Sequence, residues 1–497
     1  MKLEPEFGAF KESYDAGAPQ LVWTRLVDDL ETPVSAYLKI GHGRPYAFLF
    51  ESVEGGAWRG RYSIITLQPD LVWRCRGGGA EAARGFDAVG AGRFEAEPLP
   101  ALDSLRALLD ASRIDFPASL PPMAAGVFGV LGYDMIRLME PLGPANPDPL
   151  DLPDAVMVRP SVVAVFDSVG QEIVLATPAR PDGSTASAAY DAAVARLRGV
   201  REELRQPLQP SPEPAHREQP PFAAAQTLES YGQIVARAQD YIAAGDIFQV
   251  VPSQRFEAPF ALDPLAFYRS LRRTNPSPFL FYLNFGDFQL AGSSPEILVR
   301  LRDGEVTIRP IAGTRPRGAT PEQDAALEAD LLADPKELAE HLMLLDLGRN
   351  DVARVARPAS VRVTQSFGIE RYSHVMHIVS NVVGDAPANA DPVEVLLAAL
   401  PAGTVSGAPK VRAMEIIDEL EPVKRGVGYA GAAGYISAKG EVDACIVLRA
   451  ALFKDGRIHV QAGGGVVADS DPKAEYEETL HKSRAARRAA EEAWRFV

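Results

Sequence analysis

The chain has 497 residues, enough for two or three domains or one large intertwined unit. Hydrophobic residues make up 46% and charged residues 24%, as in a globular protein with a large core, and the formal net charge is −15. That balance argues against nucleic acid or an anionic membrane as the main partner, because phosphate contacts need clustered Lys and Arg. It leaves room for a small anionic ligand in a locally cationic pocket. The two cysteines, Cys75 and Cys445, form no C-x-x-C. They exclude a disulfide framework and a zinc-thiolate site, and they fit a reducing compartment. No apolar signal region follows Met1 and no run approaches about 18 apolar residues, so a cytoplasmic location is expected.

In chain order, the first part reads as mainly β. Tyr46–Phe50 and Ser161–Phe166 are strand candidates, Arg76-Gly77-Gly78-Gly79 is a turn, and Leu102–Leu109 and Met135–Met139 are short helices. Tyr190–Leu204 is helix-like and charged. Pro207, Pro210, Pro212, Pro214, Pro220 and Pro221 then exclude a helix or a central strand. Residues 206–224 therefore read as a linker or loop between a β-rich part, 1–205, and a second part, 225–497. Beyond it, Tyr231–Ala244 is an amphipathic helix ending at Gly245, and Ile247–Pro252 and Phe279–Phe285 are strands. Pro335–Val355 and Val411–Glu419 are helices, Ala432–Ser437, Ala444–Phe453 and Ile458–Ala462 are strands, and Pro472–Phe496 is a closing helix.

Two motifs carry chemistry. Glu337-Leu338-Ala339-Glu340 and Glu475-Tyr476-Glu477-Glu478 each place two carboxylates on one helical face. Such pairs repel unless a cation or a proton lies between them. A single Glu-x-x-Glu is usually a solvated acidic face; a second pair, following Gly463-Gly464-Gly465, adds weight. Oxygen-only ligands from two helices suit Mg²⁺, and backbone N–H groups near such a glycine loop suit a carboxylate or phosphate. His341 is not a zinc-protease histidine, because H-x-x-E-H would need His where Glu337 stands. Gly403–Lys410 does not match a phosphate loop, and Gly428, Gly431 and Gly434 do not match a dinucleotide fingerprint. His377 shares a face with Val375, opposite His374 and Met376; a lone histidine is more often structural than catalytic, and only its company changes that.

Together with Gly292-Ser293-Ser294-Pro295-Glu296, Arg309–Arg315, Leu347-Gly348-Arg349-Asn350-Asp351 and Gln461–Asp471, these segments resemble the chorismate-binding enzyme family, and within it the anthranilate-forming branch. The resemblance covers essentially all of 225–497. It is thinner before that, resting on Phe50-Glu51-Ser52 and Gly60-Arg61-Tyr62-Ser63. It implies an α+β fold: a large two-part chorismate-binding architecture of antiparallel sheets packed as a sandwich with helices outside.

By that resemblance, Glu340 and Glu478 bind Mg²⁺ with Glu337 and Glu475 in support. Gln249, Thr404, Tyr429, Arg449, Gly463, Gly464 and Gly465 hold chorismate. Glu296 is the acid for the departing C4 hydroxyl, with Thr404 in contact with substrate, and His377 assists loss of pyruvate. Gln249 stands where water-activating relatives carry Lys, and Ala312 where many aminodeoxychorismate synthases carry a Lys nucleophile. Gln249 thus disfavours the isochorismate- and salicylate-forming chemistry and Ala312 the aminodeoxychorismate synthases, and both point to anthranilate formation; the alternatives are an aminodeoxychorismate synthase, or a non-catalytic tryptophan sensor, which the intact set Glu296, Glu340, His377, Arg449 and Glu478 opposes. Ammonia is expected from a separate glutamine amidotransferase subunit, in an assembly of two large and two small chains. Glu51, Ser52, Arg61, Pro278, Phe279 and Leu280 match a tryptophan feedback site, with Phe279 and Leu280 departing from the usual Tyr-Met.

Overall fold

The computed structural model describes residues 1–52, 60–209, 218–372 and 375–497. Of the expected linker, Pro210, Pro212 and Pro214 lie outside the described residues, as does His374.

Among the described residues, twenty-one strands are connected by antiparallel pairings into one sheet system. Strands from before and after the proline-rich segment pair with each other directly. Phe48–Glu51 lies between Tyr62–Arg76 and Phe279–Asn284, with Glu51 opposite Leu280. Gly126–Leu131 pairs with Ala432–Ser437 along its length. Strand periodicity sorts the side chains into layers. In Phe279–Asn284, Phe281 and Leu283 join an inner core with Phe48, Phe128 and Tyr435, drawn mainly from strands of both halves. Leu280 and Tyr282 face the other way, into a core shared with helical residues such as Leu197, Tyr268 and Ala486. A third core packs Trp73 and Met135 against Val235, Leu396 and Ile417. The result is a sheet sandwich with helices outside, as expected.

The two carboxylate-bearing helices begin alike. Pro335–Ala353 is capped by Asp334, whose carboxylate accepts from Lys336 and Glu337 N–H groups. Pro472–Glu492 is capped by Asp471, which accepts from Ala474 N–H. Each has Pro at its first position. Glu337 and Glu475 thus sit in first helical turns, where unpaired N–H groups favour negative charge.

Four local expectations need correction. Ala444–Phe453 is two strands, Val442–Ile446 and Ala450–Lys454, because Arg449 adopts φ +50. Of Ile247–Pro252 only Gln249–Val250 is strand, paired with Gly407–Ala408. Met135–Met139 belongs to a 3₁₀ helix, Tyr133–Leu138. The closing helix ends at Glu492 and continues as a 3₁₀ turn, Ala493–Phe496. Among the described residues, no helix is long and apolar enough to cross a membrane.

Candidate active site

A cavity of about 880 Å³ opens between the two Asp-Pro-capped helices and the sheet. Glu296, His377, Thr404, Gln249, Tyr429, Arg449, Gly463, Gly465 and all four glutamates of the two pairs line it. Gly464 lies against the carboxylates: a Cβ there would stand 3.0 Å from Glu475 Oε2. At Gly463 a Cβ would fall 2.4 Å from the Pro252 carbonyl oxygen, so glycine lets this loop approach the neighbouring backbone so closely.

Glu296 occupies the corner between strands Phe288–Ser294 and Ile297–Arg302. It is 7% exposed. Burial pushes its pKa up to about 8, and the Thr404 hydroxyl and the Ile311 N–H restrain the rise. The Thr404 hydroxyl stands close enough for that influence, yet Oγ1 completes no hydrogen bond to protein. A neutral carboxylic acid and an uncommitted hydroxyl thus share one wall.

His377, on strand Val375–Asp385, places Nδ1 2.9 Å from the Gly313 carbonyl and 3.1 Å from Thr314 Oγ1. A carbonyl can only accept, so Nδ1 carries the proton and Nε2 keeps its lone pair. Burial lowers the His377 pKa, and Arg449 adds to that; the Gly313 carbonyl works against it. The ring is therefore neutral near pH 7 and suited to take a proton. His341, by contrast, is a core residue: Nε2 contacts Ser380 Oγ at 2.7 Å and burial lowers its pKa to about 4.

The carboxylate pairs are strained by their company. Burial raises the Glu337 pKa, and Glu340 raises it further, against Arg315. Burial likewise raises Glu475, with Glu478 contributing and the Ser470 hydroxyl opposing. Glu475 Oε1 accepts from Ser470 at 2.7 Å, while Oε2 is buried without a partner. Gln249 Nε2 reaches Glu340 Oε1 at 3.3 Å, and Gln249 Oε1 is also unpartnered. Unsatisfied buried oxygens beside repelling carboxylates are the donor set a hard divalent cation would satisfy, so these residues fit Mg²⁺. Among the described residues no three His, Cys, Asp or Glu side chains converge into a closed metal site. Mg²⁺ commonly takes few protein ligands and completes its shell with water and substrate.

Arg449 is half-buried beside Tyr429, and its Nη1 donates to the Lys482 carbonyl at 2.7 Å. The break in the sheet at Arg449 is what turns its guanidinium into the cavity. Burial pushes the Tyr429 hydroxyl up to about 12, so it remains a neutral donor.

Two further residues had not been foreseen as parts of the site. Lys482, one turn beyond Glu478, bonds its carboxylate at 2.6 Å and the Gly463 carbonyl at 3.0 Å. Arg425 lies beneath the floor. Its guanidinium donates to the carbonyls of Val405 (2.6 Å) and Val251 (2.7 Å) and to Glu421 Oε2 (2.9 Å), and packs over the Tyr429 ring. Glu421 also accepts from the Ser253 N–H and hydroxyl at 2.8 Å. In both cases the i, i+4 spacing, Glu478 to Lys482 and Glu421 to Arg425, was the available signal.

The expected tryptophan-site residues lie at the junction of the halves. Glu51 is 6% exposed and accepts from Tyr268 Oη at 2.5 Å. Arg272 Nε is 2.9 Å from it, in charge contact but not aligned for a hydrogen bond. Leu280 is buried opposite Glu51, Phe279 is half-buried and Pro278 is buried. Ser52 Oγ accepts from the Gly60 N–H at 2.7 Å. Arg61 is committed to Asp167, through Nε at 3.0 Å and Nη2 at 2.6 Å.

Comparison with known proteins decides the lineage. The family model described as chorismate binding enzyme matches residues 61–488. The chain belongs to the chorismate-binding enzyme family. Among its relatives in this family, anthranilate synthase component 1 of Cereibacter sphaeroides is 59% identical, with 99% of this chain and 98% of the relative covered. Anthranilate synthase component 1 of Pseudomonas aeruginosa is 49% identical over 93% of each. The crystal structure of anthranilate synthase component I from Streptococcus pneumoniae superposes with a TM-score of 0.75 at 36% identity, covering 93% of this chain and 98% of that one. A menaquinone-specific isochorismate synthase from Escherichia coli shares the fold, with a TM-score of 0.71 at 19% identity over 97% and 99% of the two chains.

Proposed function

We propose that this chain is the chorismate-aminating large component of an anthranilate synthase, converting chorismate and ammonia to anthranilate and pyruvate. The observation that carries the mechanism is Glu296: a carboxyl held neutral by burial, with Thr404 beside it, in the cavity that the carboxylate pairs and Arg449 also line.

In the first step ammonia forms a bond to ring C2, both ring double bonds shift along the ring, the C4–O bond breaks, and the ammonium nitrogen so formed loses a proton to solvent. Glu296 gives its proton to the departing oxygen, which leaves as water. Thr404 Oγ1, with no protein partner, orients the ring's polar groups. Arg449 and Tyr429 grip the enolpyruvyl carboxylate, an anion well matched to a half-buried guanidinium. Gln249 offers an amide where a base would be needed to activate water, which leaves ammonia as the nucleophile. In the second step the lone pair of His377 Nε2 takes the C2 proton. The C3–O bond then breaks, the ring becomes aromatic, and the enol released gains a proton to become pyruvate. Glu340 and Glu478, supported by Glu337 and Glu475, would hold Mg²⁺, which supplies counter-charge for the ring carboxylate.

The relatives' designation as component 1 supports a second component. We assign it as a glutaminase delivering ammonia, in a cytoplasmic assembly of two chains of each kind. The residues around Glu51 are proposed to bind tryptophan as inhibitor.

The test is an assay of the purified chain with chorismate and Mg²⁺. With ammonium at high pH it forms fluorescent anthranilate; with glutamine alone it forms none. An aminated product retaining the enolpyruvyl group would instead identify an aminodeoxychorismate synthase. Turnover of glutamine without a partner would overturn the partner assignment.

A further inference from the structure

Release of pyruvate asks more of His377 than its hydrogen bonds supply. Nδ1 is anchored by the Gly313 carbonyl at 2.9 Å and Thr314 Oγ1 at 3.1 Å. The χ2 torsion of a histidine has a broad preference, so contacts at one ring atom leave the imidazole able to rock about it. A base must keep its lone pair aimed at the proton it takes, and a misplacement of about 1 Å can cost about a hundredfold in rate.

The sheet supplies a second contact. His377 lies on the middle strand of three, opposite Thr314 of Ile311–Pro316 on one side and Glu370 of Arg362–Arg371 on the other. Residues directly opposite in an antiparallel pair share a face, as do residues two apart along a strand. Glu370 therefore shares the face of His377, and the same alternation brings Tyr372 to it. The Tyr372 N–H donates to the Val375 carbonyl at 2.8 Å, which places Tyr372 diagonally beside the histidine. The two rings meet edge to face, with centroids 5.6 Å apart and planes at 64°. That is a favoured arrangement for neighbouring π systems. The far end of Tyr372 is held as well. Its hydroxyl donates to Glu370 Oε2 at 2.9 Å, and Arg309 bonds the other oxygen of the same carboxylate. Tyr372 is half-buried and lines the catalytic cavity, as His377 does.

We propose, on the reading of His377 as the base of the second step, that Tyr372 is a positioning residue for pyruvate elimination. Its ring, braced through Glu370 by Arg309, blocks the rocking of the imidazole and keeps Nε2 turned toward the cavity. Amination of C2 uses Glu296 as its acid and does not depend on the angle of this ring, so Tyr372 acts selectively on the second step.

The two steps can be measured apart. His377→Ala, given chorismate, Mg²⁺ and ammonium, should release the aminated ring that still carries the enolpyruvyl group. That compound is isolated and supplied to wild type, Tyr372→Ala, Tyr372→Leu and Tyr372→Phe, and its conversion to anthranilate and pyruvate is followed. Amination by the same preparations is read as the initial rate of chorismate consumption. In Tyr372→Ala and Tyr372→Leu, kcat for elimination falls by at least about tenfold while KM for the intermediate moves by less than about threefold, the signature of a base displaced rather than a ligand lost. Amination falls by a clearly smaller factor. Tyr372→Phe keeps the ring against His377 and recovers most of the elimination rate; what it fails to recover measures the brace to Glu370. Both rates come from one preparation, so an unfolded fraction cancels from their ratio. Equal losses in the two steps, undiminished elimination, or Tyr372→Phe as slow as Tyr372→Ala would overturn the role of Tyr372. Anthranilate alone from His377→Ala would instead overturn the assignment of His377, and the positioning role with it.

Discussion

Glu51 and Glu296 are the same residue type at nearly the same exposure, 6% and 7%, yet the protein treats them oppositely. Glu51 has a phenol and a guanidinium at its carboxylate. Glu296 has only a hydroxyl and a backbone N–H near it, and no cation among the causes of its shift. At Glu296, burial with no positive partner is what raises the carboxyl's pKa. Glu421, 4% exposed, has its carboxylate held by Arg425 and Ser253.

The contrast can be broken most severely at Glu296. Glu296→Gln should lower ammonia-dependent anthranilate formation by about 10²–10⁴, the usual worth of a general acid, with little change in chorismate binding. In the wild type the donor is present below about pH 8 and lost above it, so the rate corrected for free ammonia falls as pH rises through that value. Stability falls in the same direction, over a lower range of pH. The folded-state pKa lies above the unfolded one, so the wild type is most favoured at low pH and loses stability as pH climbs to about 8. Melting temperatures should show Glu296→Gln gaining on the wild type over that range, and a constant difference would remove the argument for a neutral acid.

A smaller effect, on folding, is expected at Arg425. Arg425→Met leaves Glu421 buried and unpaired, costing about 3–5 kcal/mol in denaturant unfolding. Glu421→Gln with Arg425→Met should recover much of the loss. Activity should suffer as well, since Arg425 holds the carbonyls of Val251 and Val405, beside Gln249 and Thr404 in sequence. Next comes Glu475→Gln, which removes one repelling charge without touching a direct ligand. Half-maximal Mg²⁺ should rise by about 10–100-fold, as for other supporting groups, with kcat restored at saturating metal. An unchanged Mg²⁺ requirement would separate the second pair from the metal. The mildest change is Glu51→Gln, which keeps an acceptor for Tyr268 but drops the charge facing Arg272. About 1 kcal/mol of stability should be lost, and catalysis should be intact.

What could be read in advance follows the range of the interactions involved. The Glu-x-x-Glu pairs and their Asp-Pro starts are local, and helical periodicity put them on one face before any tertiary contact was known. Glu296 and His377 were recognised from motif, but the cause of their altered acidity was not legible, because it comes from neighbours such as Ile311, Thr404 and Gly313 on other segments. The run Ala444–Phe453 looked like one strand because Val447-Leu448-Arg449 carries no turn residue; the positive φ at Arg449 breaks it. Arg425 went unread although its spacing from Glu421 was visible, since two of its partners are carbonyls from segments about 20 and 174 residues away.

The pairing of Phe48–Glu51 with Phe279–Asn284, and of Gly126–Leu131 with Ala432–Ser437, has a consequence for how the molecule comes apart. Cutting the backbone within the proline-rich segment would sever one covalent bond and none of these ladders. The two fragments should then co-purify as a nicked enzyme. Expressed separately, each should be an incomplete sheet with bare edges, prone to aggregate until it meets its complement.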